Sequence, residues 1–557
     1  MSASQTSELR VFDILARAFS QEKVKHCFAL LGDANMNWAT RLAENGCEMI
    51  YVRHEHCAFA AAMAYARKSG DVGLATVTCG PGVTQLMTAL PAAVRARLPV
   101  VVFAGESPLK SGWYNQELDQ APMVMATGAV YHRLHHIERM PVAVRDAFLE
   151  AREKNIPVVL GIPFDLQNKP WPGADTLPRP SRDLMPAVSP QPPNPNDLAR
   201  AVDLLTGAKR VVVLAGMGAV QSGAGPACEA LAEKTGGLLA TTLPARGLFY
   251  QNPYCLGISG SFSTEIGLEY LKQADLVITV GGSQALYASG GGQLSPKAQL
   301  LHVDIEPQAV AQGQEVAPNH LRADARLGVE ALTAGLPARS AGDAWRSDEI
   351  AARIRNTKPD NTVYEAEPGL HDPRDVVEAL EAALPADWEM VNSSGHCSGF
   401  FAQMPSRPNE KFMTIREFGA IGNGTSFAMG VAAARPGQNI VLFEGDGSFL
   451  MHIQELETMR RHGMKILTVV MNDGAYGSEI HKLRSEGLSD EGAVFGRPDF
   501  AGIARGFGMT GETVTDLGDL PRLVKAFAES DVGAVWDFPV SDKVITPIVR
   551  RAHPPRQ

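Results

Sequence analysis

"VLFEGDGSFLMHIQELETMRRHGMKILTVVMNDGAYGSEI" occupies residues 441–480. It holds two apolar runs, each ending in a Gly-Asp or Asn-Asp-Gly turn, with one helical pattern between them. Either tripeptide alone reads as an ordinary loop, because glycine, asparagine and aspartate are turn residues. Together they place Asp446 and Asp473, 27 residues apart, at the ends of consecutive strand patterns. A right-handed crossover brings such strand ends to one edge of a sheet. A helix opening at Gly447-Ser448-Phe449 would aim its free N–H groups where a phosphate sits. Two carboxylates and a backbone carbonyl, completed by phosphate oxygens, are what Mg²⁺ requires. The stretch is therefore expected to hold a diphosphate and its metal.

The same alternation runs outward along the chain. Short Val/Ile-rich runs ("GLATVT", "LPVVVFAG", "IPVVLGIP", "RVVVLAG", "ADLVITVGG") alternate with amphipathic helical stretches, the signature of parallel sheets with helices on both faces. A length of 557 residues suggests about three or four domains. The proline-rich segment Asn168–Asp197 and a second break around 334–375 divide the chain. The expected fold is α/β, with three doubly wound parallel-sheet domains in series over residues 1–170, 192–338 and 366–550. Ligands in such folds bind at the carboxyl ends of the strands.

Composition narrows the function. A net charge of −10 without basic runs argues against nucleic acid as a partner. No apolar run reaches the roughly 18 residues that span a bilayer, and the polar N-terminal lead before "LRVFDILARAF" is not a signal peptide. Seven cysteines show no paired spacing, as expected of reduced thiols. A soluble, cytoplasmic protein is expected.

The motifs also carry a resemblance. Gly445-Asp446-Gly447 followed by Asn472-Asp473-Gly474-Ala475-Tyr476-Gly477 resembles the cofactor motif of thiamine-diphosphate enzymes, in particular the acetolactate synthase, pyruvate oxidase and 2-oxo-acid decarboxylase superfamily. "YVRHEHCAFAAAMAYARKSGDVGLATVTCGPGVTQLMTAL" is similar to the pyrimidine-binding domain of that superfamily, "RVVVLAGMGAV" and "LLHVDIEPQAV" to its middle domain, and "REFGAIGNGTSFAMGVAAARPGQNIVLFEGDGSF" to its diphosphate-binding domain.

The resemblance implies thiamine diphosphate with Mg²⁺, the metal held by Asp446, Asp473 and the Ala475 carbonyl. The superfamily usually has asparagine where Asp473 stands, so this chain carries an additional formal negative charge. Glu55 would hydrogen-bond N1′ of the cofactor's aminopyrimidine and help take the proton from the thiazolium C2. Burial in a partly apolar pocket would raise its pKa and ease that exchange. Ile421 would support the bent cofactor, and Gly80, Gly445, Gly447, Ser448, Asn472, Tyr476 and Gly477 would complete its contacts.

For the reaction, Asp33 in "LLGDANMNW" and Glu479 stand where pyruvate and indolepyruvate decarboxylases carry active-site carboxylates. Such a pair could protonate the carbanion left when CO₂ departs. An N-cap for Asp33 and a helix-surface charge for Glu479 are the plainer alternatives. The adjacent histidines of those decarboxylases are absent, and "HRLHHI" (132–137) falls too late to match, as expected of a surface strand. Gln116, followed by Glu117, instead resembles the Gln-Glu of acetolactate synthases, and His396 in "SSGHCSGF" a synthase-like histidine. The synthases' downstream tryptophan is missing. FAD is not favoured, because the superfamily keeps a turn like "AGMGAV", with Gly216 and Gly218, whether or not it binds flavin. The expected reaction is decarboxylation of a small 2-oxo acid with aldehyde release, carboligation or both. An acetolactate synthase-like carboligase is the alternative, with a flavin-linked oxidase behind it. The resemblance also implies a homodimer or homotetramer whose active sites lie between chains.

Overall fold

The Val/Ile-rich runs become the central strands of three parallel sheets, buried on both faces. The computed structural model describes residues 9–290, 293–306, 318–337, 344–365 and 367–554. The expected domain limits at 1, 338 and 366, and the end of "LLHVDIEPQAV", lie outside the described residues.

The first sheet runs in the spatial order Glu48–Tyr51, His26–Ala29, Gly73–Val77, Val100–Glu106, Pro157–Pro163, Val130–Arg133. The second runs Asn319–Arg322, Gln299–Asp304, Leu276–Val280, Val211–Ala215, Leu238–Thr241, Cys255–Ile258. The third runs Phe412–Thr414, Glu389–Asn392, Ile440–Gly445, Ile466–Asn472, Ala534–Pro539, Thr510–Thr513. All pairings between these strands are parallel, so the chain is an α/β protein of three doubly wound sheets in series. The first and third sheets share one strand order. Each reverses between its first and third strands, the switch point at which open α/β sheets bind ligands. The proline-rich segment carries a 3₁₀ turn at Ser181–Leu184 and ends in the first turn of the helix Pro195–Gly207.

The first and third sheets share a continuous apolar core. Its centre is the alanine-rich helix Glu55–Ser69 packed on Gly424–Ala434. The small residues let the backbones nearly touch: a Cβ at Gly430 would lie 2.2 Å from the Ala61 carbonyl oxygen. Lys68 crosses the same boundary to a buried ion pair with Glu389 at 2.6 Å. The second sheet is anchored by Arg246, which donates to the carbonyls of Phe401 and Met404 and stacks over Phe412. Among the described residues, no helix is long and apolar enough to cross a membrane.

"HRLHHI" begins in the edge strand Val130–Arg133, where His132 pairs with Glu150 at 2.7 Å. Asp33 is not a helix cap. The helix Met36–Glu44 begins after Asn35, whose Oδ1 accepts the Gly32 N–H and whose Nδ2 donates to Leu30 O and Thr76 Oγ1.

Candidate active site

At the switch point of the third sheet, the ends of Glu389–Asn392 and Ile440–Gly445 part and leave a cavity. It is lined by Ser394 and Gly395 from the first strand's exit and by Gly445, Asp446, Gly447 and Ser448 from the second. Asp473, Ala475, Tyr476, Gly477 and Glu479 close it from the next strand's exit, with Ile421 and His396 opposite. Thus every metal ligand expected from the sequence lines this one cavity, together with eight other expected site residues.

The helix after Ile440–Gly445 starts at Asp446, not at Gly447, and spans only Asp446–Met451. In consequence Gly447 N–H is not free for a phosphate: it donates to Asp446 Oδ1 at 2.7 Å, and Gly474 N–H donates to Oδ2 at 2.7 Å. These two bonds tie both turns to one carboxylate. Asp473 accepts a longer bond, 3.2 Å, from Ala475 N–H. The two carboxylates lie against each other in a buried setting. Burial first, then the facing charge, raises the Asp446 pKa, and burial raises that of Asp473. For both of these buried, facing carboxylates to be ionised, a cation must lie between them. The Ala475 carbonyl accepts no backbone hydrogen bond among the described residues, so a third oxygen is available. The donor set is all oxygen, and it fits Mg²⁺ with a diphosphate completing the shell.

Glycine at 477 is a steric requirement. A Cβ there would sit 2.5 Å from Asp473 Oδ2 and 2.9 Å from His396 Nδ1. At Gly447 a Cβ would strike the Tyr476 ring at 2.7 Å. Ser448 Oγ accepts the Gly422 N–H at 2.7 Å, clamping the loop that carries Ile421 against the Asp446 turn. Asn472 does not reach the cavity. Its side-chain amide donates to Asp537 Oδ1 and Pro498 O, bracing the end of the strand.

His396 is buried, and burial holds its pKa well below the usual value. Its Nε2 accepts the Thr546 N–H at 3.0 Å, which leaves the proton of the neutral ring on Nδ1, beside Gly477 and Asp473. Glu479 lines the cavity from the first turn of the helix Gly477–Ser485, half exposed and 3.2 Å from Lys482.

Asp33, Glu55, Gly80 and Gln116 do not line this cavity. Asp33, Gly80 and Gln116 gather at the switch point of the first sheet. Gly80 has φ +59°, and a Cβ there would lie 2.2 Å from the Gln116 carbonyl. Gln116 Oε1 lies 3.5 Å from Cys79 Sγ and 3.4 Å from Tyr114 Oη, with Asp33 close to both residues. Glu55 opens the helix Glu55–Ser69. One chain therefore gathers the expected residues at two separate places and does not put Asp33 in the cavity with Glu479.

Three buried groups escaped the sequence reading. Glu455 accepts the Arg53 N–H at 2.9 Å and also bonds the His54 N–H, holding the turn that presents Glu55. In "QELETMRR" it reads as one more helix charge, and nothing local signals a partner 402 residues away. His481 lies 4.7 Å, ring to ring, from His396. Glu444 is fully enclosed, accepts from Ser393 Oγ at 2.7 Å, and burial pushes its pKa up to about 7. A charged residue ending the apolar run "VLFE" was a visible signal for it.

In the "AGMGAV" turn both glycine amides are engaged. Gly216 N–H donates to Val280 O and Gly218 N–H to Gly281 O, each at 2.8 Å, so neither amide is offered to a diphosphate.

Comparison with known proteins follows the same division. Residues 9–133 match the thiamine pyrophosphate enzyme N-terminal TPP binding domain, 198–332 the central domain and 393–538 the C-terminal TPP binding domain. The probable acetolactate synthase large subunit of Methanocaldococcus jannaschii is 24% identical over 551 residues, covering 96% of this chain and 93% of that protein. The acetolactate synthase isozyme 2 large subunit of Escherichia coli K12 is 27% identical over 534 residues, covering 93% of each. A probable 2-ketoarginine decarboxylase of Pseudomonas aeruginosa is 28% identical over 533 residues, covering 93% of this chain and 92% of that protein.

Proposed function

This chain belongs to the thiamine pyrophosphate enzymes of the acetolactate synthase, pyruvate oxidase and 2-oxo-acid decarboxylase superfamily, and from that premise we propose that it decarboxylates a small 2-oxo acid, with aldehyde release, carboligation or both. The observation that carries the reading is the pair of facing, buried carboxylates Asp446 and Asp473 at a switch point. They would hold Mg²⁺ with the Ala475 carbonyl, and the metal would hold the diphosphate of thiamine diphosphate. When bound, the cofactor supplies a nucleophilic carbon and an electron sink for the bond to CO₂.

The chain's own residues then divide the work. Ile421, which lines the cavity, would support the cofactor there. Glu55, from a second copy of the chain, exchanges a proton with the aminopyrimidine N1′. His396 offers its Nδ1 proton to the substrate oxygen from a fixed ring orientation. Glu479 delivers a proton to the carbon that loses CO₂, and an Asp33 from the second copy would face it. The assembly proposed is a homodimer or homotetramer, in which the half-site around Glu55, Gly80 and Gln116 covers the cavity of its neighbour. The domain limits 1–170, 192–338 and 366–550 are proposed on the same footing.

A synthase-like carboligase is the second reading. It is favoured by the synthase relatives and by Glu479, whose ion pair with Lys482 holds it as a surface carboxylate. Incubation with pyruvate and bulkier 2-oxo acids, followed by separation of aldehyde from acyloin and 2-hydroxy-2-methyl-3-oxo acid, distinguishes the two. Aldehyde as main product supports the lyase reading, and acetolactate from pyruvate supports the synthase. No product dependent on thiamine diphosphate from any of these acids would overturn both.

A further inference from the structure

Several arginines withdrawn from water in this chain have evident partners. Arg407 pairs with Glu381, half-buried Arg152 pairs with Asp71 at 2.8 Å, and Arg246 donates its Nη2 to two carbonyls. Arg416, by contrast, stands beside a segment that lines the cavity. It stands in the loop between Phe412–Thr414 and Gly424–Ala434, five residues before Ile421. Its Nη1 donates to Ser398 Oγ, and its guanidinium lies 5.0 Å from the centroid of the Phe262 ring.

Among the described residues it forms no ion pair. The adjacent carboxylate, Glu417, is taken by Arg67 at 3.2 Å and by the Arg416 backbone N–H at 2.7 Å. Arg416 is half-buried, desolvation pulls its pKa down, and a cation partly drawn out of water without a close ion pair is costly. An anionic ligand would remove that cost.

The surroundings say where such a ligand would come from. Ser398 follows Cys397, which lines the cavity, and donates to the carbonyl of Gly395, which lines it too. On the other side Arg416 faces the second-sheet domain through Phe262 and Tyr287. Tyr287 is 73% exposed and Leu286 51%, so this side is open. Arg416 thus stands between that exposed side and the cavity-lining segment 395–397. A guanidinium presents a planar fork of donors that matches a carboxylate.

We propose that Arg416, oriented by Ser398 and Phe262, binds the carboxylate of the 2-oxo acid entering between the middle and diphosphate-binding domains. The inference rests on the thiamine-diphosphate reading, and it makes Arg416 a determinant of selectivity for acids over neutral carbonyl compounds. The diphosphate is the other anion within the site, but its charge is met by the metal at Asp446 and Asp473.

The test is calorimetric titration of the cofactor- and Mg²⁺-loaded protein with oxamate, an unreactive pyruvate isostere, and with its neutral methyl ester. Wild type should bind oxamate, and Arg416→Gln should weaken that binding about tenfold or more, leaving the ester and thiamine diphosphate unaffected. Arg416→Lys, which keeps the charge and loses the fork, should fall between. The KM for pyruvate should rise in step, with kcat nearly unchanged. Equal oxamate affinity in wild type and Arg416→Gln would overturn the proposal. So would no oxamate binding by wild type, an equal loss for the ester, or a matching loss of cofactor affinity. A wild type that fails to bind thiamine diphosphate at all would sink the underlying reading instead, so the two failures are distinguishable.

Discussion

Asp473 is the residue at which this chain departs most from the pattern its motifs resemble, and the structure shows the consequence. A second carboxylate faces Asp446 in a buried pocket, and burial raises both pKa values. Replacing Asp473 with Asn should remove the facing charge. Thiamine diphosphate affinity should stay within about threefold, because an amide oxygen still serves as a ligand. Scanning calorimetry of the metal-free protein should show a higher Tm for the variant. A lower Tm together with lost cofactor binding would contradict the assignment. Glu55→Gln should depress every reaction. Glu479→Gln should slow aldehyde release by about tenfold or more while sparing CO₂ loss, as a proton donor does. An unchanged aldehyde rate would shift the account to the carboligase reading.

At the scale of elements, the close crossing of Glu55–Ser69 over Gly424–Ala434 fixes how the first and third sheets meet. Gly430→Val should cost about 1–3 kcal/mol by overpacking, read as a lower denaturation midpoint, because its Cβ would meet the Ala61 carbonyl. The same seam buries His56, whose Nε2 lies 2.6 Å from Asn423 Oδ1 and whose ring stacks on His452. Burial, reinforced by His452, lowers the His56 pKa to about 4. The unfolded chain takes this proton first, at a pKa near 6.5. The contribution is therefore present above pH 6.5 and is lost as pH falls toward 4, a change of about 3 kcal/mol. The Tm gap between wild type and His56→Gln should be widest at pH 7 and narrow toward pH 4. A gap independent of pH would show that His56 does not titrate in this window.

These elements also show what the sequence could reveal. Strands such as Ile440–Gly445 and Ile466–Asn472 were legible because they are buried on both faces, which writes them as unbroken apolar runs bounded by turn residues. The facing of Asp446 and Asp473 was legible because their spacing spans one crossover unit. The helix start at Asp446 was not, since the aspartate accepts an N–H from its own turn and thereby begins the helix earlier. Asn472 shared its motif with true cavity residues, yet strand alternation turned its side chain to Asp537. Glu455 and Arg416 owe their settings to contacts between segments distant in the chain, which no local pattern encodes.

For the whole molecule, the repeated strand order of the first and third sheets yields two switch points and two half-sites. One gathers Asp33, Gly80 and Gln116, the other Asp446, Asp473, Glu479 and His396. Completing a site with a second copy makes a sharp prediction. Glu55→Gln and Asp446→Ala, each inactive alone, should regain activity when dissociated and mixed, because a hybrid dimer holds one intact site. Random pairing should restore about a quarter of wild-type activity. No recovery, or a fully active monomer by light scattering at assay concentration, would place the complete site within one chain.

The central claim is that Asp446 and Asp473 bind a metal that in turn holds a diphosphate. Calorimetric titration of thiamine diphosphate into the protein, with and without Mg²⁺, tests it most directly. The account predicts binding that requires Mg²⁺ and that Asp446→Ala weakens by at least about 100-fold, since even residues that merely orient metal ligands are worth about 10–100-fold. Diphosphate binding that is indifferent to the metal and survives Asp446→Ala would contradict it.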